Sequence, residues 1–311
     1  MDEGWLQRIE RDVGLPGLVE ALAERLAPTD LRSLLLEVES RRAGARTPAE
    51  LLRQYATDRF VQPSPGDPLR SLAIEQLAFT LLPAGYEAVD VAPVAPLGTS
   101  SVLGTVQQNS VVSTTRGTEV ASDATAALAL ECARRRRRDN QPAVRLAAAQ
   151  RVTRAQQFDQ PDFQAHFRLF ALCTAGRDTG NRDFEADALV AQIGFYVRLL
   201  TELGGSLLAI DSVRVGVTDL GDGAFAPLLE ERVAPALRAA FPGVEIAADP
   251  EREARRSYYE RVCFRVWVRN AEHDVPIVDG GFTDWTQRLL ADRKERLLTS
   301  GIGVQLLAER F

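Results

Sequence analysis

The sequence predicts an α+β fold: a largely antiparallel sheet flanked by helices, preceded by a small helical N-terminal region. Three observations carry that prediction. Apolar residues recur at three- and four-residue spacing from residue 5 to about 58. The stretch Gln62-Pro-Ser-Pro-Gly-Asp-Pro68 then packs three prolines and a glycine into seven residues, as a linker does. Beyond it, β-rich runs follow one another in hairpin-like succession with few helices between them.

In the N-terminal region the helical stripes are Leu6, Ile9 and Val13, then Leu18, Leu22 and Leu26, then Leu31, Leu34, Leu35 and Val38. Pro16 and Pro28 separate them, with Thr29 or Asp30 as the expected cap. The expected organisation is a helical region over 1–62, a linker over 63–69 and a main body over 70–311. The main body opens with a helix near 69–82 and a strand Tyr86–Val94. A strand at Val111–Thr115 and a long helix from Asp123 into Arg134–Arg138 come next. Val144–Ala155 and His166–Thr174 read as a strand pair, and Phe184–Leu203 as a helix ended by Gly204-Gly205. Strand 207–219, a turn at Gly221-Asp-Gly223, helix 226–240, strands 244–247, 261–269 and 275–279, and a last helix or strand to Phe311 complete the reading.

Composition narrows the chemistry. The chain has 311 residues, 37 Lys+Arg against 43 Asp+Glu, and a net charge of -6, which argues against nucleic-acid binding through overall charge. Lys294 is the one lysine, so Schiff-base and P-loop lysine chemistry have almost no candidate and arginine must do any phosphate work. Cys132, Cys173 and Cys263 are far apart and odd in number, and only His166 and His273 accompany them, so neither a disulfide scaffold nor a metal centre is expected. The acidic start Met1-Asp-Glu-Gly-Trp5 leads into an amphipathic pattern rather than a signal core. No segment approaches the roughly 18 uninterrupted apolar residues of a membrane span. A cytoplasmic protein with no membrane partner is expected.

The informative stretch is 120–176. Ser122-Asp123-Ala-Thr125 opens a helix, and Asp and Thr there serve as caps in their own right. Arg154 follows a strand-like run, and a loop leads to His166-Phe-Arg-Leu-Phe170 and Gly176. Together these resemble the catalytic core of class II aminoacyl-tRNA synthetases, and most of all histidyl-tRNA synthetase and its tRNA-free relatives. Residues 71–93, with Gly85-Tyr86 and Pro93, resemble motif 1. Ser122–Thr125 corresponds to the family's Pro-Glu-Gly-Thr segment. Thr153-Arg154-Ala155-Gln156 and His166-Phe167-Arg168-Leu169-Phe170 resemble the two strands of motif 2. Phe184–Ala188 is similar to the Asp-Ala-Glu helix, Tyr258-Tyr259 with Phe264 to the Asp-Tyr-Tyr-Thr-Gly strand, and Gly280-Gly281 with Asp284 to Gly-Gly-Arg-Tyr-Asp. Ile302-Gly303 through Glu309-Arg310 resembles motif 3.

The resemblance, over about 70–311, implies ATP and Mg2+ as cofactors and a homodimer built through the motif 1 region. It implies Arg154 on the α-phosphate and Arg310 at the other end of the nucleotide, as the catalytic pair. Phe167 would stack on adenine, with Gln156 and His166 nearby. Asp123 and Thr125 would meet a substrate ammonium, with Leu169, Cys173, Tyr258, Tyr259, Gly280 and Gly281 around the substrate. Arginine suits such a site because its planar fork binds phosphate bidentately and stays charged.

Departures from the family pattern cut against parts of this. Gln156 stands for the motif 2 glutamate, His166 for an arginine, and Leu169 and Cys173 for residues that cradle the amino acid, so histidine is not the expected substrate. Arg255 and Arg256 lie near the family's catalytic arginine. Trp267 and Trp285 read as core or interface positions. The run Arg134–Arg138 is first a solvated helix end, favoured there by the helix dipole, and RNA binding is its less favoured reading. No anticodon-binding segment follows motif 3 in this sequence. The leading expectation is therefore a tRNA-independent, adenylate-forming enzyme acting on an amino acid or related carboxylate. The alternatives are a non-catalytic interaction subunit, resembling the regulatory subunit of ATP phosphoribosyltransferase and working with a protein partner, and a protein acting on tRNA.

Overall fold

The computed structural model describes residues 4–104, 106–139, 141–156, 164–249, 252 and 259–311. The chain starts with α1 (Gly4–Val13), then α2 (Leu18–Glu20) running into a π-helical turn over Ala21–Arg25, then α3 (Pro28–Gly44) and α4 (Pro48–Thr57). None of these helices contains a buried residue. Thr47 caps α4 in a reciprocal box: Glu50 N donates to its Oγ1 at 3.3 Å, and Thr47 N donates to the Glu50 carboxylate at 2.8 Å. For α3 the expected cap, Thr29 or Asp30, is not one. Ala27 holds the cap position, because Pro28 at the first helical position has no N–H to satisfy and a φ already set for helix.

The main body begins at α5 (Pro68–Thr80), capped by Asp67, whose Oδ1 accepts Leu69 N at 2.8 Å. Its buried residues are Ser71, Ile74, Glu75 and Ala78. Then come β1 (Glu87–Ala88), β2 (Val94–Pro96), α6 (Thr99–Val102), β3 (Thr118–Val120), α7 (Ala124–Asp139), β4 (Ala143–Thr153), β5 (His166–Arg177) and α8 (Asp183–Gly204). The chain continues through β6 (Ser212–Asp219), α9 (Ala226–Leu228), a π-helical turn at Leu229–Val233, α10 (Ala234–Ala240), β7 (Glu245–Ala248) and β8 (Glu260–Arg269). It closes with β9 (Asp274–Thr283), α11 (Trp285–Leu290), β10 (Glu295–Gly303) and α12 (Val304–Arg310).

Eight strands form one sheet in the order β1-β4-β5-β10-β9-β8-β6-β7, antiparallel throughout except for the parallel edge pairs β1/β4 and β6/β7. The side-chain period of two sends alternate residues to two cores. Phe170, Leu172, Phe264 and Leu298 pack on one face with α8, together with Leu189, Ile193 and Tyr196. Ala148, Ala171, Cys173, Ala175 and Leu297 pack on the other with α7 and Trp285. The alanines on that second face keep the sheet surface low under α7.

Two local expectations change. The strand expected at Tyr86–Val94 is broken: it pairs at Glu87–Ala88, against Leu146–Ala147, and again only at Val94, which opens β2 opposite Val120. Pro93 has no N–H for a ladder, and the Ala92 carbonyl accepts the Gln150 side chain at 2.8 Å instead of a strand neighbour. Val111–Thr115 is not a strand: a 3-10 turn at Gln108–Ser110 precedes a single bridge, Ser113 with Glu119, and the two-stranded ribbon is made by β2 and β3. At the C-terminus the expected helix or strand is one of each, β10 then α12.

The arginine run is largely consumed by carboxylates. Arg134 and Arg135 both bond Glu131, and Arg135 also reaches Glu87. Arg138 pairs with Asp139. Arg136 turns inward to a bidentate pair with Glu295 at 2.6 and 3.0 Å. A continuous strip of unpaired cations, which phosphate tracking needs, is thus absent from the described run.

Candidate functional site

Arg154 stands where β4 leaves the sheet, one residue past the last rung of its ladder with β5, Thr153 opposite His166. Three groups hold its side chain. Its Nε donates to Ser122 O at 3.1 Å, its guanidinium lies 3.6 Å from Asp123 Oδ2, and its Cζ sits 5.0 Å over the Phe167 ring. Asp123 is meanwhile the N-terminal cap of α7: Thr125 N and Thr125 Oγ1 both donate to its Oδ1 at 2.8 Å. One carboxylate oxygen therefore fixes the helix and the other faces Arg154. Both side chains are about one-third exposed, so the pair is reachable from solvent.

A cavity of about 170 Å³ opens at this pair, lined by Asp123, Arg154, Gln156, Ser122, Ala126 and Trp285 together with Ser100, Gly104, Val106 and Ser110. Glu119 shapes its rim. Fully enclosed, it accepts Gly98 N at 2.8 Å, Ser100 N at 2.7 Å and Gln108 Nε2 at 3.0 Å. Burial pushes the Glu119 carboxyl up, but the donors from Ser100, Gln108 and Gly98 outweigh it and hold the group below the usual range. The anchored Ser100 hydroxyl then bonds Ser122 Oγ at 2.8 Å. A second, smaller cavity of about 100 Å³ lies on the other side of Arg154, lined by Arg154, Gln164, Phe167, Gly303, Gln305, Leu306 and Glu309. Arg154 is the wall the two share.

The remaining expected site residues divide. Gln156 lines the first cavity and Phe167 the second. His166 lines neither: its Nε2 donates to Gln62 O at 2.7 Å, leaving Nδ1 to accept Arg151 at 2.9 Å. Arg310 lines neither as well. Its carbonyl accepts Asn270 at 3.1 Å, and on α12 it is Gln305, Leu306 and Glu309 that face Phe167. Leu169 sits in the ladder opposite Gly303. Cys173 is sealed in the core, its thiol pushed up by burial and donating to Thr125 O at 3.6 Å. Tyr258 falls outside the described residues, as do Arg255 and Arg256.

Tyr259, Gly280 and Gly281 interlock. A Cβ at Gly281 would lie 2.6 Å from Tyr259 Cδ1, and one at Gly280 would lie 2.5 Å from Phe264 Cζ. Arg252 lies over the Tyr259 ring at 5.3 Å and pairs with Asp279 at 2.6 Å. The space over the glycines is thus filled by the chain's own aromatic rings.

Nothing in the sequence marks Ser100, Gly104, Val106 and Ser110, which lie in a segment without periodicity, and Trp285 is expected from it as a core or interface position rather than a cavity wall. The signal for Trp285 was its place next to Asp284, in the segment already matched to a family motif.

The residues present do not fit ATP with Mg2+. Arg154 lies on the Phe167 ring face, and Glu309 puts a carboxylate in the wall of the same cavity, which disfavours a polyanion there. Gln156 presents an amide, not a carboxylate, to the first cavity.

This fold, an eight-stranded and largely antiparallel sheet flanked by helices, is that of a class II aminoacyl-tRNA synthetase-like core. Solved structures share it. An ATP phosphoribosyltransferase regulatory subunit/histidyl-tRNA synthetase from Bacillus halodurans C matches with TM-score 0.55 at 14% identity, over 78% of this chain and 79% of that one. Histidyl-tRNA synthetase from S. aureus matches with TM-score 0.56 at 15% identity, over 77% of this chain and 64% of its own. That from Nostoc sp. PCC 7120 gives TM-score 0.57 at 13% identity, over 81% and 74%. No protein-family model and no curated protein sequence matches the chain. No described helix is long and apolar enough to cross a membrane.

Proposed function

We propose that this synthetase-like paralogue binds a small amino-bearing carboxylate as a ligand and acts as a non-catalytic interaction or regulatory subunit, in the manner suggested by its likeness to a phosphoribosyltransferase regulatory subunit. One observation carries the reading: Arg154, the residue an adenylating enzyme would aim at a phosphate, is paired with Asp123 across the first cavity and stacked on Phe167. An anion-binding and a cation-binding group side by side suit a zwitterion. The ligand ammonium takes the Asp123 oxygen that now faces Arg154, aided by the Ser100 and Ser122 hydroxyls. Its carboxylate takes the Arg154 fork. Val106, Ala126 and Trp285 leave room for a modest apolar or hydroxylated side chain.

The adenylate-forming reading keeps one supporting observation, that Arg154 borders both cavities and so touches the places a carboxylate and a nucleotide would meet. Calorimetry with the twenty amino acids, each with and without ATP, separates the two. The expected result is binding of one or a few amino acids, lost in Asp123→Asn and Arg154→Ala, with no binding of ATP and no exchange of labelled pyrophosphate into ATP. Exchange dependent on Arg154 would establish the enzyme instead, and no amino-acid binding at all would end the ligand reading.

A homodimer through the motif 1 region belongs to the same proposal. Leu72 in that region is 49% exposed, and Leu69, Val94 and Leu97 flanking it are exposed at 76%, 39% and 53%. Light scattering at micromolar concentration should give twice the chain mass, and a monomer would remove that assignment.

A further inference from the structure

Past Thr153 the β4 backbone has no strand to pair with, yet Arg154 must project from it at a fixed angle. Four bonds hold the backbone of residues 154–156. Arg154 N donates to Ala165 O at 2.8 Å and Ala155 N to Ser110 O at 3.2 Å. The other two come from the N-terminal region: Arg59 Nη2 donates to Ala155 O at 2.7 Å and to Gln156 O at 2.9 Å. Arg59 follows α4 directly, its guanidinium 4.6 Å over the Phe60 ring, in a turn fixed by Phe60 N donating to Asp58 Oδ1 at 3.0 Å.

The segment after Arg59 is pinned on the same end of the sheet. Gln62 O accepts the His166 ring at 2.7 Å, Gln305 donates to Ser64 Oγ, and Arg70 donates to Ala308 O at 2.8 Å. Residues 59–70 therefore join the end of β4, the start of β5 and α12. These elements carry Arg154, Phe167 and Glu309, the walls of the second cavity. A charged donor serving two successive carbonyls fixes a short backbone segment more firmly than a neutral one.

We propose that Arg59 is a positioning residue for Arg154, through which the helical N-terminal region sets the anion-binding end of the ligand cavity. The inference deepens the ligand reading above and rests on it for its binding arm alone. It also gives α1 to α4 a role that their lack of buried residues leaves open: they carry a clamp rather than a core.

The test uses the full chain with Arg59→Ala, and with Arg53→Ala on α4, the helix just before it, as control. Hydrogen exchange of backbone amides in 152–156 and 164–168 should accelerate tenfold or more in Arg59→Ala and stay at the wild-type rate in Arg53→Ala. Exchange in β9 and β10 should not change in either. In calorimetry, the amino acid that the wild type binds best should lose at least tenfold in affinity, whereas its decarboxylated amine, which needs Asp123 but not Arg154, should lose less than twofold. Unchanged exchange at 152–156, equal acceleration in Arg53→Ala, or equal losses for amino acid and amine would each overturn the proposal. If the wild type binds no amino acid, the ligand reading fails by itself and the exchange rates alone decide the role of Arg59.

Discussion

Replacing Arg136 by alanine separates the structural arginines from the surface ones. The Arg136 and Glu295 side chains are only 6% and 5% exposed, and two bonds of 2.6 and 3.0 Å join them. Arg136 also donates to the Gln141 carbonyl, which ties the turn between α7 and β4. Removing the guanidinium leaves the Glu295 carboxylate enclosed with one distant cation, Arg177 at 4.0 Å. Breaking a buried pair in this way costs about 3–5 kcal/mol, because an uncompensated charge remains. The residual Arg177 contact places the expectation at the lower end of that range. Against a total stability of about 5–15 kcal/mol, such a loss is large. Urea unfolding followed by circular dichroism should show a lowered midpoint with an unchanged slope. Arg136→Met combined with Glu295→Leu should recover most of the loss, since neither charge is then stranded. Arg134→Ala and Arg138→Ala, whose pairs are on the surface, should leave the midpoint where it is. If Arg136→Ala proves as mild as Arg134→Ala, the buried pair is not formed and the run returns to being a solvent-facing basic strip.

Two further predictions concern the sheet and the helix end. Gly280→Ala puts a methyl 2.5 Å from Phe264 Cζ and 2.6 Å from Ser300 Cβ, so it should cost about 1–3 kcal/mol in urea unfolding, while Gly243→Ala, with nothing within 4 Å, should not; equal midpoints for the two would refute the ring packing. Glu131 has its pKa lowered from 4.5 to about 2, chiefly by its bond to Arg134, with Arg135 adding to it against the cost of burial. Its stabilising contribution is therefore full above pH 4.5 and is lost as pH falls toward 2, so Glu131→Gln should flatten the fall in stability across that window. A wild-type slope in Glu131→Gln would show that the two arginine bonds do not form in solution.

How far the sequence foretold the structure depended on the range of the interactions involved. Periodicity located α7, α8 and the β4–β5 hairpin, because each buries a face of its own sequence. It failed at 86–94, where extended apolar residues look like a strand but Pro93 and the Gln150 side chain remove the ladder. The motif order exposed Arg154, Asp123 and Phe167, and the structure brings those three together. The walls at Ser100, Val106 and Ser110 were not legible, since a buried glutamate, Glu119, and not a repeating pattern, fixes that loop. His166 and Arg310 matched motifs by spacing, but spacing does not say which way a side chain turns from a strand end or a helix. The partner of Arg136 lies 159 residues away, beyond any local rule.

A chain with one lysine and a negative net charge invites the inference that its arginines mark anion sites. What distinguishes them is the bond a ligand would have to replace. Arg136 and Arg296 sit in enclosed pairs, the latter with Glu185 at 2.9 Å and Asp178 at 2.5 Å, and freeing either would strand a buried carboxylate. Arg135 bridges Glu131 and Glu87, so no single anion can displace both. Arg154 differs on each point. Its ion pair is long at 3.6 Å, its partner is about one-third exposed and retains two helix-capping bonds, and its remaining hold is a carbonyl and a ring. A zwitterion can replace the Asp123–Arg154 pair by satisfying both members at once, at no cost in stranded charge. On the ligand reading proposed above, exchangeability is what would select this site among so many arginines, with the proposed Arg59 clamp on the following two carbonyls holding it in place.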